Sequence, residues 1–140
     1  MSPRRGYSVL ELTLVLTIIG LMTLIAVRPI RSTLDHIATR DAAQSAAAFV
    51  ARARDESIAL HTNVAVQIDT TAATLSLRTR DRQVARLQLG AIHGVTLSTS
   101  RDSITFDPRG LGFGAANLTL VAKRGRMADT IVVSRLGRVR

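Results

Sequence analysis

Between Tyr7 and Val27 the chain offers one ionisable carboxylate, Glu11, inside a run otherwise suited to lipid. A charge near the centre of a helix in a bilayer costs a few kcal/mol or more, so a chain that keeps one needs a partner for it. Just upstream stand Arg4, Arg5 and Gly6, then the aromatic Tyr7, with Glu11 five positions after the glycine. At the other end, Lys123, Arg124, Arg126, Arg135, Arg138 and Arg140 face a single acid, Asp129, giving net +5 over eighteen residues. Arg138 and Arg140 are two apart, so in an extended tail they project to the same side, and Gly137 frees the backbone just before them. A planar guanidinium can grip phosphate oxygens with two parallel bonds. The same cluster also has a plainer role, since basic residues on edge strands and tails discourage aggregation.

Acid–base, nucleophilic and metal chemistry find no support. The three histidines, His36, His61 and His93, fall on a predicted helix, at its end and in a loop, and no two share His-x-x-x-His spacing. The acidic pair Asp55-Glu56 would point about 100° apart on a helix and cannot act as paired acids. There is no Gly-x-Ser-x-Gly. Cysteine is absent, which removes disulfides and thiolate sites. Gly110, Gly112 and Gly114 lie two apart, but neither a helix pattern nor Lys-Ser/Thr follows them, so they are no phosphate-cradling loop. The sequence therefore predicts a non-enzyme with no catalytic residue, no metal and no cofactor.

These groups must be carried by a short chain. Its 140 residues suffice for one small domain and one long helix. The formal charge is +9, with eighteen of the nineteen basic residues arginine, and a basic balance favours nucleic acid, anionic lipid or an acidic protein. Aromatic residues make up 3% and tryptophan is absent, so any nucleic-acid binding would rest on charge more than on stacking.

Tyr7 to Val27 spans about 30 Å as a helix, the thickness of a bilayer core. No small-x-small site follows it, so the apolar part is expected to stay in the mature chain. Arginines flank both sides evenly and leave orientation undecided. Gly20 and Pro29 weaken the helix, and a kink is expected near Arg28. Residues 31–61 continue as helix, with Leu34, Ile37, Ala38, Ala42, Ser45, Ala46, Phe49, Ala53 and Leu60 near three-and-four spacing. From Val64 the period changes to two, giving about seven short strands, among them one from Arg82 to Gly90. Asp107-Pro108-Arg109-Gly110 predicts a type I turn, and Lys123-Arg124-Gly125-Arg126 a hairpin turn.

The segment Arg5-Gly6-Tyr7 with Glu11 resembles the class III signal of type IV pilins and type II secretion pseudopilins. Phe106-Asp107-Pro108-Arg109-Gly110 and the late Gly137-Arg138, taken with the element order, look like the GspH/FimT branch of minor pilins. The resemblance implies cleavage by a prepilin peptidase between Gly6 and Tyr7, N-methylation of Tyr7, and a role for Glu11 in docking subunits into a filament. Most members carry Phe where this chain has Tyr7. It also implies a leader in the cytoplasm, an inner-membrane anchor and a periplasmic remainder. Gly137-Arg138-Val139-Arg140 is similar to the Gly-Arg-x-Arg tail of FimT-like minor pilins, which bind DNA in natural transformation.

The expected fold is thus α+β. A long N-terminal helix, transmembrane then amphipathic, packs on a C-terminal antiparallel β-sheet or sandwich. Residues 1–6 are the leader, 7–30 the membrane and filament-core helix, and 31–140 the globular domain, with helix over 31–61 and strands over 63–140. The expected function is that of a FimT-like minor pilin binding double-stranded DNA through Arg138, Arg140, Gly137, Arg135, Lys123, Arg124 and Arg126. The alternative is a GspH-like minor pseudopilin acting as a structural subunit at a filament tip. Other pilins, the prepilin peptidase, the inner membrane and DNA are the implied partners.

Overall fold

The computed structural model describes residues 7–80, 82–113, 117–134, 136 and 138–140. The chain divides into two compact units, residues 1–34 and 35–140. Helix α1 (Val9–Ala59) provides the regular structure of the first unit and opens the second. Its bounds enclose Gly20 and Pro29, so neither residue ends the helix.

In the first unit α1 begins on a side-chain cap. Ser8 Oγ accepts the Leu10 N–H at 3.3 Å, and the Ser8 carbonyl accepts the Leu12 N–H at 3.1 Å. Glu11 sits in the first turn, where the helix dipole favours a carboxylate. Ser8 and Glu11 thus have the Ser-x-x-Glu spacing of a capping box. Tyr7, Leu10, Leu14, Ile18, Leu21 and Ile25 are all exposed within the chain. The hydroxyls of Thr13, Thr17 and Thr23 donate to the carbonyls of Leu10, Thr13 and Ile19 at 2.7–2.9 Å. Polar side chains that bond back onto their own helix can enter hydrocarbon without an orphaned donor. This helix is long and apolar enough to cross a membrane.

In the second unit the buried face of α1 comprises Thr39, Ala42, Ala43, Ala46, Phe49, Val50, Ala53 and Ser57. The intervals of three, four and seven trace one stripe of a 3.6-residue helix. Thr39 and Ser57 belong to it because their hydroxyls bond to α1 carbonyls, at Asp35, His36 and Arg54. Leu34, Ile37 and Leu60 do not belong to the stripe; they are about half exposed. The predicted stripe is shifted at both ends, since it takes in Leu34, Ile37 and Leu60 and leaves out Thr39 and Ser57.

α1 stops at Ala59, two residues earlier than expected. The Thr62 N–H reaches the Ser57 carbonyl and the His61 N–H reaches that of Ile58, both at 3.3 Å. That pair of bonds is a Schellman motif, and it sets His61 in the left-handed region at φ +50°. Glycine usually fills this position, so the sequence carried no signal for the stop.

Among the described residues eight strands follow: β1 (Val64–Asp69), β2 (Thr74–Arg78), β3 (Gln83–Gln88), β4 (Thr96–Thr99), β5 (Ser103–Phe106), β6 (Gly112–Phe113), β7 (Leu118–Arg124) and β8 (Met127–Val133). They form two antiparallel sheets, one ordered β3-β2-β1-β5-β6 and one β4-β7-β8. The inner faces of both sheets meet the α1 stripe in one core that holds Phe49, Val66, Leu75, Leu77, Phe106, Leu120 and Val133.

The strand expected from Arg82 to Gly90 ends at Gln88, and a short helix α2 (Leu89–His93) takes over. Gly90 is the cause. Its N–H bonds to the Ala73 carbonyl at 3.0 Å, and a Cβ there would lie 2.8 Å from the Ala73 Cβ. The chain must turn at this close approach, and the turn swings Leu89 into the core. His93, expected in a loop, is the last residue of α2.

Candidate functional site: a basic sheet face

The last residues fold back along β8. The Val132 N–H donates to the Arg140 carbonyl at 2.8 Å, and the Arg140 N–H returns to Val132 at 2.9 Å. The Ser134 N–H donates to the Arg138 carbonyl at 2.8 Å, and Ser134 Oγ accepts the Arg138 N–H at 3.1 Å. Val133 and Val139 pair as an antiparallel bridge. Val139 packs against the core, so the period of two turns Arg138 and Arg140 outward. Both are exposed. Residues 138–140 thus lie alongside the sheet at its β8 edge.

Strand registry extends the face. In β7 the even positions Leu118, Leu120 and Ala122 are buried, and Thr119, Val121 and Lys123 point the other way. Their partners Val132, Thr130 and Ala128 are exposed, as are Thr96 and Ser98 of β4, which pair with Lys123 and Val121. The outer face therefore carries Lys123, Arg138 and Arg140 on a floor of small and hydroxyl-bearing residues. Among the described residues no Asp or Glu side chain shares it, since Asp129 pairs with buried Ala122 and so faces inward. Beside the two arginines lies a hollow of about 270 Å³ that Val132, Ser134 and Leu136 help to line.

The structure separates the other predicted cations. Arg124 faces the helix side. Its Nε lies 2.9 Å from Asp35 Oδ1, and it also donates to the His93 carbonyl at 2.6 Å. Its charge is spent on α1 and on the turn after α2. Arg126 is the exposed second residue of the two-residue β7–β8 loop, after Gly125 at φ +58°. Arg135, Gly137 and the Gly6 cleavage position lie outside the described residues. Tyr7 is 82% exposed and Glu11 is exposed at the start of α1. Among the described residues no three His, Asp or Glu side chains come together as metal ligands.

The predicted turn at 107–110 is present. The Gly110 N–H reaches the Asp107 carbonyl at 2.8 Å, and Gly110 has φ +73°. Gly110 presses on α1: a Cβ there would lie 2.8 Å from Ile58 Cδ1, and its carbonyl accepts from Arg54 Nε at 3.1 Å. This motif is structural, tying the β5–β6 connection to the end of the helix. Gly114 lies outside the described residues.

Comparison with known proteins converges on one group. Residues 42–137 match the family described as type II transport protein GspH. The pilin-like protein PilA1 of Thermus thermophilus is 33% identical over 154 aligned positions, covering 98% of this chain and 97% of that protein. Among solved structures, the type IV minor pilin FimU of Pseudomonas aeruginosa superposes with a TM-score of 0.63 at 16% identity, over 73% of this chain and 86% of that one. The minor pseudopilin EpsH of the Vibrio cholerae type 2 secretion system gives 0.57 at 16% identity, over 73% and 94%. The two structural likenesses speak for the fold: a long N-terminal helix followed by antiparallel sheets.

Proposed function

The chain belongs to the GspH family of pilin-like type II transport proteins, and from that premise we propose that it is a minor pilin that binds duplex DNA without sequence preference. The supporting observation is the outer face of the β4-β7-β8 sheet, which collects Lys123, Arg138 and Arg140 and carries no acidic side chain among the described residues. Arg138 and Arg140 are held by four hydrogen bonds to Val132 and Ser134, three of them between main-chain groups, so the guanidiniums stand on a rigid base. Side chains on a flat, hydroxyl-rich sheet can meet phosphates but do not enter a groove to read base edges, so affinity is electrostatic and falls with salt. In this reading a pilus carrying the subunit catches DNA for uptake in natural transformation.

The same proposal assigns the N-terminus. A prepilin peptidase cuts between Gly6 and Tyr7, Tyr7 is N-methylated, and α1 anchors the chain in the inner membrane with residues 35–140 in the periplasm. Glu11 then awaits a cation from a neighbouring pilin in the filament.

A gel-shift assay with the full chain in detergent micelles tests the DNA reading. Wild type is expected to retard duplexes of unrelated sequence equally. An Arg138→Ala/Arg140→Ala double variant is expected to lose affinity and to lower the salt slope by about 2. Equal affinity of the two proteins would sink the reading.

The family match favours a second reading, that of a structural subunit of a type II secretion pseudopilus. The basic face would then contact a neighbouring subunit. The double variant would leave DNA unaffected and weaken assembly instead.

A further inference from the structure

The opposite face of the molecule's other sheet has chemistry that the reading above leaves unused. On the outer side of β3-β2-β1-β5-β6, a cleft of about 590 Å³ opens near the end of α1. Among the described residues its basic lining groups are His61, Arg78 and Arg80, and none of its lining residues is acidic. Asn63, Gln67 and Thr105 supply amide and hydroxyl groups to the same cleft. Arg78 donates to Gln67 Oε1 at 3.2 Å, which ties the guanidinium to the face of the sheet.

Registry places an aromatic residue at the far end of this arrangement. Arg78 pairs with Ala65, Ala65 with Thr105, and Thr105 with Phe113. Directly opposed residues share a face, so these four form one row across four strands, about 14 Å from end to end. Phe113 is 72% exposed, the most exposed large apolar side chain among the described residues of the second unit. The chain has only four aromatic residues, three Phe and one Tyr, and Phe49 and Phe106 fill the core. Leaving the third phenylalanine in water beside a cationic cleft is a loss unless something covers its ring.

From this juxtaposition we infer that the outer face of the five-stranded sheet binds single-stranded nucleic acid, with phosphates at Arg78 and Arg80 and a base stacked on Phe113. Every base has a π-face that an aromatic platform can take, and cationic grooves follow the backbone of a single strand. A duplex keeps its base faces covered by stacking and has nothing to lay on Phe113. An acidic peptide would use the arginines and leave the ring bare. A neighbouring hollow lined by Arg86 also holds Asp69 and Asp102, which repel phosphate and confine the strand to the Arg78 side.

The test is fluorescence anisotropy on the full chain in detergent micelles, with labelled oligo(dT) and oligo(U) of about 16 nucleotides and a duplex of equal length. Phe113→Ala is expected to weaken oligo(dT) binding about tenfold. Arg78→Ala/Arg80→Ala is expected to lower the single-strand salt slope by about 1.4. Both variants should keep the wild-type melting temperature and duplex affinity, since these side chains are exposed. Arg138→Ala/Arg140→Ala should do the converse, losing duplex affinity and keeping single-strand affinity, so unchanged duplex binding in that variant overturns the earlier reading and leaves this one standing. Comparison of oligo(dT) with oligo(U) shows whether DNA or RNA is held more tightly. Unchanged single-strand affinity in both cleft variants overturns the inference, and displacement of oligo(dT) by polyglutamate as efficient as by oligo(dT) reassigns the cleft to an acidic partner.

Discussion

Asp107 shows how one side chain fixes a local structure through its charge. Oδ1 accepts the N–H groups of Arg109 at 2.9 Å and Leu111 at 3.0 Å, and Oδ2 lies 3.2 Å from Arg109 Nε. The Leu111 N–H does most to hold the carboxyl below its ordinary value of 3.8; the Arg109 N–H and guanidinium add to it, and partial desolvation opposes them. A folded-state pKa below the unfolded one means stability present above about 3.8 and lost as pH falls through the depressed value. We therefore expect Asp107→Asn to melt below wild type at neutral pH, with the gap closing in acid. Thermal melts by circular dichroism at neutral pH and well below 3.8 check this. A gap that is the same at both would remove the carboxylate's charge from the explanation. The sequence signalled this turn through Pro108 and Gly110, but not that Asp107 is the hub, because that depends on where Leu111 returns.

At the scale of elements, the β7–β8 hairpin divides two adjacent cations between two tasks. Lys123 faces outward and Arg124 inward, because a strand alternates its side chains. Arg124 links β7 to Asp35 on α1 and to the His93 carbonyl after α2. Gly125 is needed here too, since a Cβ would lie 2.6 Å from Asp35 Oδ2. The ion pair is partly exposed, with 40% and 28% side-chain accessibility, so its worth is near the ~1 kcal/mol upper end for such pairs. Arg124→Ala is expected to destabilise by about that much and to leave duplex affinity unchanged, whereas Lys123→Ala should do the reverse. Urea unfolding and gel shifts on both variants decide it; a drop in DNA affinity without loss of stability in Arg124→Ala would contradict the assignment. From sequence the two residues looked equivalent. Only the strand phase, set by burial of Ala122 and Leu120, tells them apart.

For the molecule as a whole, the two ends of α1 answer to different surroundings. Residues 35–59 bury a stripe in the core of their own unit, while the apolar residues from 7 to 26 are exposed. In the proposed reading their partners are lipid and, in the filament, other pilins. Glu11→Ala should accordingly insert in membranes and be processed normally yet fail to enter filaments, whereas Gly6→Val should accumulate uncut. Immunoblots of membrane and sheared-filament fractions check both, and normal filament incorporation of Glu11→Ala would remove the assembly role. The apolar run, the isolated carboxylate and the switch from helical to alternating periodicity are local properties of the chain, so the helix-then-sheet order was written in the sequence. Tertiary contact decided the remainder. The close approach of Gly90 to Ala73 turned a strand into α2, and pairing of the tail with β8 aimed Arg138 and Arg140. Registry across four strands set Phe113 in line with Arg78. Such choices depend on residues far apart in the chain meeting in space, and no local pattern encodes a meeting.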